Sequence, residues 1–103
     1  MDRELYVELV LRCVERVPPG RVTTYGAISD VVRGRLGAGG PRTVGAVMAR
    51  HGGGVPWWRV VHADGSPPHC HDGTALAHYR AEGTPVRSSG RLDLAAAFWD
   101  PEA

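Results

Sequence analysis

Between Gly52 and Gly65 the chain reads Gly52-Gly53-Gly54-Val55-Pro56-Trp57-Trp58-Arg59-Val60-Val61-His62-Ala63-Asp64-Gly65. Val60-Val61 has the β-branched character of a short strand, and Ala63-Asp64-Gly65 supplies the turn that closes it. Two tryptophans stand side by side after a proline. Each indole carries roughly 150–250 Å² of surface, and neighbours on a strand point to opposite faces. A chain of 103 residues has one modest core, so one indole is expected to face a cavity or a partner. The alternative is a paired aromatic anchor for that core.

Reading outward toward the N-terminus, Pro41 suits the first turn of a helix that runs from Arg42 to about Arg50 and buries Val44, Val47 and Met48. The glycine-rich run from Gly34 to Gly40 precedes it as a flexible connector. Before that, Thr23 or Thr24 is a good N-cap for a helix from Tyr25 to about Arg33, with Ala27, Ile28, Val31 and Val32 inward. Residues 3–17 carry Leu5, Leu9, Val10, Cys13, Val14 and Val17 at helical spacing, and Pro18-Pro19-Gly20 ends that helix. The sum is a mainly α fold with a small β wing: a winged helix-turn-helix DNA-binding domain. After the turn, residues 66–73 are irregular, 75–82 form a further helix stopped by Gly83 and Pro85, and 91–99 either hold a last helix or fray. The whole of 1–103 is expected to be one domain with its core over about 4–84 and the tail 88–103 loosely docked.

The net charge of +1 hides an asymmetry. From Arg16 to His62 there are seven arginines (16, 21, 33, 35, 42, 50 and 59) against Asp30 alone, while most acids lie toward the ends. A basic middle is an electrostatic footprint for an anionic partner, most simply a phosphate backbone. All the basic residues are arginine, which fits either genome composition or bidentate phosphate contact. No apolar run is long enough to cross a membrane and Met1-Asp2-Arg3-Glu4 begins no signal peptide, so a cytoplasmic monomer without membrane partners is expected. Cys13 and Cys70 are read as free thiols.

Three ordered groups carry a resemblance: Pro19-Gly20-Arg21-Val22-Thr23-Thr24-Tyr25-Gly26, then Arg42-Thr43-Val44-Gly45-Ala46-Val47-Met48, then Pro56-Trp57-Trp58-Arg59-Val60-Val61. In this order and spacing residues 4–84 resemble the DNA-binding domain of the O6-alkylguanine-DNA alkyltransferase family. Active members read Pro-Cys-His-Arg-Val in the third group. Trp57 stands here at the position of the alkyl-accepting cysteine and Trp58 at that of its histidine, as in the alkyltransferase-like proteins. Indole offers neither a good nucleophile nor a titrating proton near neutral pH, so no catalytic residue and no alkyl transfer are expected.

The resemblance implies a protein that binds duplex DNA, flips O6-alkylguanine into a pocket walled by Trp57, and flags it for nucleotide excision repair proteins. Arg42 would fill the gap left by the base, or else contact a phosphate. Tyr25 would press on the 3′ phosphate, or else serve as a core tyrosine. Gly45 would let the helix approach the minor groove, or simply pack closely. Thr24 and Thr43 are phosphate donors or caps. Pro56 and Trp58 complete the lesion motif, and Arg59 either pairs with Glu82 or lines the pocket. The run His51-Gly52-Gly53-Gly54 replaces an Asn-Pro of active members, and the loop after the turn lacks their tyrosine and serine, which implies a roomier pocket. No cofactor is implied. His69-Cys70-His71 lacks zinc-ligand spacing and reads as a solvated loop. The rival functions are a winged-helix transcription regulator and an alkyltransferase with a non-standard acceptor.

Overall fold

The computed structural model describes residues 2–69 and 74–102. Helix α1 (Arg3–Arg16) starts where the Asp2 carboxylate accepts the Leu5 N–H, a side-chain cap that satisfies one orphan donor of the first turn. Strand β1 (Thr23–Thr24) leads directly into helix α2 (Tyr25–Leu36), whose cap is Thr24: its hydroxyl accepts the Ala27 N–H. Helix α3 (Pro41–His51) opens with Pro41 in its first turn, where a missing N–H costs nothing. Strand β2 (Val60–Val61), helix α4 (Ala75–Glu82) and helix α5 (Leu94–Ala97) complete the order.

Helices α1, α2 and α3 pack on one another around Val10, Val14, Ile28, Val32, Val44 and Met48, all at or near full burial. The second helix runs three residues past the expected Arg33. Leu36 continues the inward face set by Ile28 and Val32 at four-residue spacing and packs against the core, which offsets the cost of about 1 kcal/mol for Gly34 in the helix. The connector is therefore only Gly37–Gly40. Within it Gly39 has φ +94°, and a Cβ there would fall 2.6 Å from the Tyr6 ring. The chain can cross Tyr6 closely only as glycine, and that crossing sets where α3 begins.

The sheet is not a hairpin. β2 pairs parallel with β1, Thr23 opposite Val60 and Thr24 opposite Val61, so the strand after the helix pair closes back on the strand before it. What remains of a wing is the turn beyond β2, where the Gly65 N–H donates to the His62 carbonyl and the His62 N–H to that of Ser66.

Two expectations need correction. Trp57-Trp58-Arg59 is a 3-10 turn rather than strand, so the indoles do not alternate across a sheet; they meet edge to face at 5.6 Å. The C-terminal tail is docked firmly, not loosely. Val22 N–H donates to the Ala97 carbonyl, Trp99 N–H to that of Val22, and the Arg21 guanidinium to those of Ala97 and Phe98. The backbone around Val22 has open donors and acceptors there, and the tail satisfies them.

Candidate nucleic-acid interface

Helix α3 presents a ridge to solvent. Arg42, Ala46 and Ala49, at four- and three-residue steps, share one face and are exposed, while Val44, Val47 and Met48 are buried beneath. Apart from Arg42 at its start, the ridge consists of small residues. A helix that narrow enters a tight groove with less steric conflict than one carrying long side chains.

On one flank of the ridge lies a concavity of about 350 Å³, lined by Tyr25, Arg42, Gly45, Ala49, His62 and His69, with Pro41 at its edge. Each element contributes through its local geometry. Tyr25 is the first residue of α2 after the Thr24 cap, Arg42 sits in the first turn of α3, and His62 follows β2 at the start of the turn. The rings form a chain: Tyr25 and His62 lie 5.0 Å apart between centroids, His62 and His69 6.0 Å. No carboxylate lines the concavity among the described residues. It offers a guanidinium, two imidazoles and a phenol around a patch of backbone at Gly45. Such a surface suits an anionic backbone and a flat aromatic ring together.

Behind β2 the chemistry is different. Trp57 is 6% exposed and belongs to the core. His78 of α4 stands edge-on to it at 5.6 Å and stacks on Trp58 at 3.7 Å with the planes 6° apart. Trp58 Nε1 donates to the Glu82 carboxylate at 3.0 Å, and its carbonyl accepts from the Tyr79 hydroxyl. Arg59 spans the same carboxylate with Nε and Nη2 while Nη1 donates to the Val17 carbonyl at 3.0 Å. The Gly20 N–H adds a fourth donor group at 3.2 Å. Burial by itself raises the Glu82 carboxyl; the hydrogen bonds from Arg59, Gly20 and Trp58 and the Arg59 charge outweigh it, leaving the group below its ordinary value. Glu82 thus ties α4 to the loop before β1 and the turn before β2, and Arg59 extends the tie to the end of α1.

The candidate residues divide accordingly. Tyr25, Arg42 and Gly45 are brought together at one concavity. Pro56, Trp58 and Arg59 border a separate open hollow beside Gly53 and Gly54, and Trp57 lines neither space. Thr24 is engaged as a cap, and Thr43 lies on the opposite flank of α3 beside Tyr6. Arg59 makes the expected pair with Glu82, both side chains 13% exposed. His62, His69 and His78 were not anticipated as members of either cluster. The signal was His62 directly behind the strand, and for His78 a position on the buried side of a short helix. Cys70 and His71 lie outside the described residues, and no group of three metal-binding side chains occurs among those described. Cys13 is a buried free thiol, its pKa pushed up by burial against a smaller opposing effect of Arg16. No helix among the described residues is long and apolar enough to cross a membrane.

Known proteins resemble this chain in sequence and in fold. A DNA base-flipping protein of Escherichia coli (strain K12) is 34% identical over 110 residues, which cover 97% of this chain and 79% of that protein. The fold superposes on Atl1 of S. pombe, solved in complex with damaged DNA containing O6-carboxymethylguanine, with a TM-score of 0.73 at 29% identity, covering 96% of this chain and 98% of that one. A second S. pombe ATL structure in complex with DNA gives 0.75 at 27% identity over the same shares. Residues 6–83, from the first turns of α1 to the end of α4, match the family described as 6-O-methylguanine DNA methyltransferase, DNA binding domain. With that match covering the ridge, the concavity and the Trp58–Arg59–Glu82 anchor alike, the chain belongs to the 6-O-methylguanine DNA methyltransferase family through its DNA-binding domain.

Proposed function

We propose that the protein is a non-enzymatic sensor of DNA damage, which lays the α3 ridge in the minor groove of duplex DNA and extrudes an O6-alkylated guanine. The observation that carries this reading is the concavity beside a small-residue ridge with Arg42 at its rim. In this reading Arg42 moves into the stack and its planar guanidinium bonds the orphaned base. Tyr25 presses on the phosphate next to the target, and Gly45 lets the backbone come close. Extrusion costs a few kcal/mol, and stacking an extruded base on aromatic side chains returns about 1–3 kcal/mol.

The silent chemistry follows from the residues at the acceptor positions. Trp57 holds no nucleophilic atom, and the indole N–H of Trp58 is donated to Glu82. Neither can accept an alkyl group from a base. For Trp57 to wall the flipped base, the indole must be uncovered when DNA binds, since only 6% of it meets solvent in the free protein. Thr24 and Thr43 contribute less in this reading, one as a cap and one behind the ridge. The complex formed on the lesion would then flag it for nucleotide excision repair, with one chain acting as a single-domain monomer in the cytoplasm.

A titration decides the matter: one duplex with a single O6-alkylguanine against the identical unmodified duplex, at 0.05–0.2 M salt. Tighter binding to the modified duplex, weakening as salt rises, is expected. Equal affinity for both duplexes excludes a lesion sensor and leaves a sequence-reading regulator, and a mass gain on the protein equal to the alkyl group would show an enzyme.

A further inference from the structure

The ridge of α3 has two flanks, and the concavity occupies one of them. On the other flank lies a second hollow of about 320 Å³ between the start of α1 and the end of α3. Val7, Ala46 and Val47 line it together with Tyr6 and Thr43, and Arg3, Arg50 and His51 supply its basic groups. Arg3, Arg50 and His51 are all exposed, and no carboxylate lines the hollow among the described residues. Arg50 follows Ala46 by four residues and Val47 by three, so its guanidinium leaves the ridge on the side away from Tyr25 and His62.

A helix lying in a groove of a duplex is bounded by two sugar-phosphate strands, and each flank faces one of them. The flank with the concavity takes the strand whose nucleotide leaves the stack. From this geometry we infer that Arg3 and Arg50, with His51 beside them, form a binding site for phosphates of the opposite, undamaged strand. The inference rests on the DNA-binding reading above and adds the strand, the ligand groups and the residues. Arg3 comes from the first turn of α1, so this site also ties that helix to the duplex. Its role is to hold the ridge in register while the other flank handles the base. It is blind to the lesion, because phosphates of the undamaged strand are the same in both duplexes.

Each phosphate contact contributes about 0.9 to the slope of log affinity against log salt on B-form DNA. The double variant Arg3→Gln/Arg50→Gln is therefore expected to flatten that slope by about 1.8 and to lower affinity roughly tenfold or more at 0.1 M salt. The ratio of affinities for lesion and control duplex should stay within about twofold of the parent, since two independent sites add. Arg12→Gln/Arg35→Gln removes the same charge from the groove between α1 and α2 and should leave the slope near its parent value. An equal flattening in both double variants would reduce the effect to net charge and overturn the inference.

A second measurement names the strand and needs no variant to fold. Neutral methylphosphonates placed in the undamaged strand opposite the lesion should weaken the parent protein by about the same factor as the arginine substitutions. They should cost the Arg3→Gln/Arg50→Gln protein little. Methylphosphonates that leave the parent unaffected would overturn the site. A protein that fails to prefer the lesion at all defeats the sensor reading instead, whereas retained preference with an unchanged slope defeats only this one.

Discussion

The α3 ridge with its flanks and the Trp57–Trp58–Glu82 cluster treat their polar groups in opposite ways. Around the ridge, Arg42, Arg50 and His62 reach into solvent beside two open hollows. In the cluster the polar groups have found partners within the chain: the indole N–H and the guanidinium are spent on one carboxylate, and the tyrosine hydroxyl on a carbonyl. Donors held ready for a partner cost stability only mildly at the surface, where water serves them. Donors sealed in a cluster fix the frame but have nothing left to offer a ligand. In the proposed reading recognition falls to the first region, while the second supplies rigidity.

The largest expected effect comes from breaking the rigid side. Glu82→Ala leaves Arg59 Nε and Nη2, the Trp58 N–H and the Gly20 N–H without their acceptor. Removing one partner from a mostly buried ion pair costs about 3–5 kcal/mol, so destabilisation near the lower figure is expected for this pair at 13% exposure. Urea unfolding measures it. A loss under about 1 kcal/mol, the value of an ordinary surface pair, would mean that the frame does not depend on Glu82.

Next in size, Arg42→Ala should leave stability within about 0.5 kcal/mol because the side chain is exposed. Lesion binding should weaken by about 1–3 kcal/mol, the range for a stacked or base-bonding guanidinium. Base extrusion should fall with it, and 2-aminopurine fluorescence next to the target reports that step. Normal extrusion by the variant would demote Arg42 to a phosphate contact. If instead Arg42→Ala proved as destabilising as Glu82→Ala, the division between an open and a sealed region would collapse.

A smaller effect sharpens the comparison through pH. Glu82 is held below its ordinary value in the folded chain. A carboxyl lowered on folding contributes stability that is fully present above its unfolded value, about 4.3. That contribution is lost as pH falls through the lower folded value. The stability of the parent should therefore decline in acid more steeply than that of Glu82→Gln, which has no proton to take up at this site. Parallel curves between pH 6 and 3 would show that the network does not favour the ionised carboxylate.

The helix layer was legible in the sequence because its signals are local. The Thr24 cap, Pro41 at the head of α3 and the apolar spacing of Val44, Val47 and Met48 each need only a few neighbouring residues. What failed was longer in range. The partner of Val60-Val61 is a two-residue strand 37 positions earlier, and two-residue strands carry no periodicity to read. The docking of the tail is illegible for a similar reason: its anchors are the Val22 backbone and the Arg21 guanidinium, more than seventy positions away, and no local pattern announces them. At the site, the arginine and tyrosine of the open flank were named from motif position. The histidines at 62 and 69 were not, since only the parallel closure of β2 on β1 swings them beside Tyr25. For Arg59 the sequence leaves two roles open, a pair with Glu82 or a place on the pocket wall, and the structure shows the pair.

In the proposed reading position 57 is where the family carries its acceptor, and a thiol placed there should not by itself make the sealed region reactive. Trp57→Cys alone is expected to show no rapid alkyl transfer. Position 57 is buried, and Cys13 of this same chain shows what burial does to a thiol here: its pKa is pushed up despite the nearby Arg16. Even an unperturbed thiol near 8.5 is only about 3% thiolate at pH 7. Replacing the indole also opens a hollow beside the stacked Trp58–His78 pair, so a base would be held loosely and the near-attack geometry lost. Adding Trp58→His changes the balance. Glu82 already accepts a ring N–H from position 58, and an imidazole there can donate to the same oxygen while its other nitrogen takes the thiol proton. Transfer of a labelled benzyl group from O6-benzylguanine in DNA reads both variants. The double variant should label faster than Trp57→Cys, and both should stay slower than a site that evolved for the reaction. Fast labelling of Trp57→Cys by itself would show that the cluster is not sealed in the DNA-bound state, and that the bonds around Glu82 open when the duplex docks.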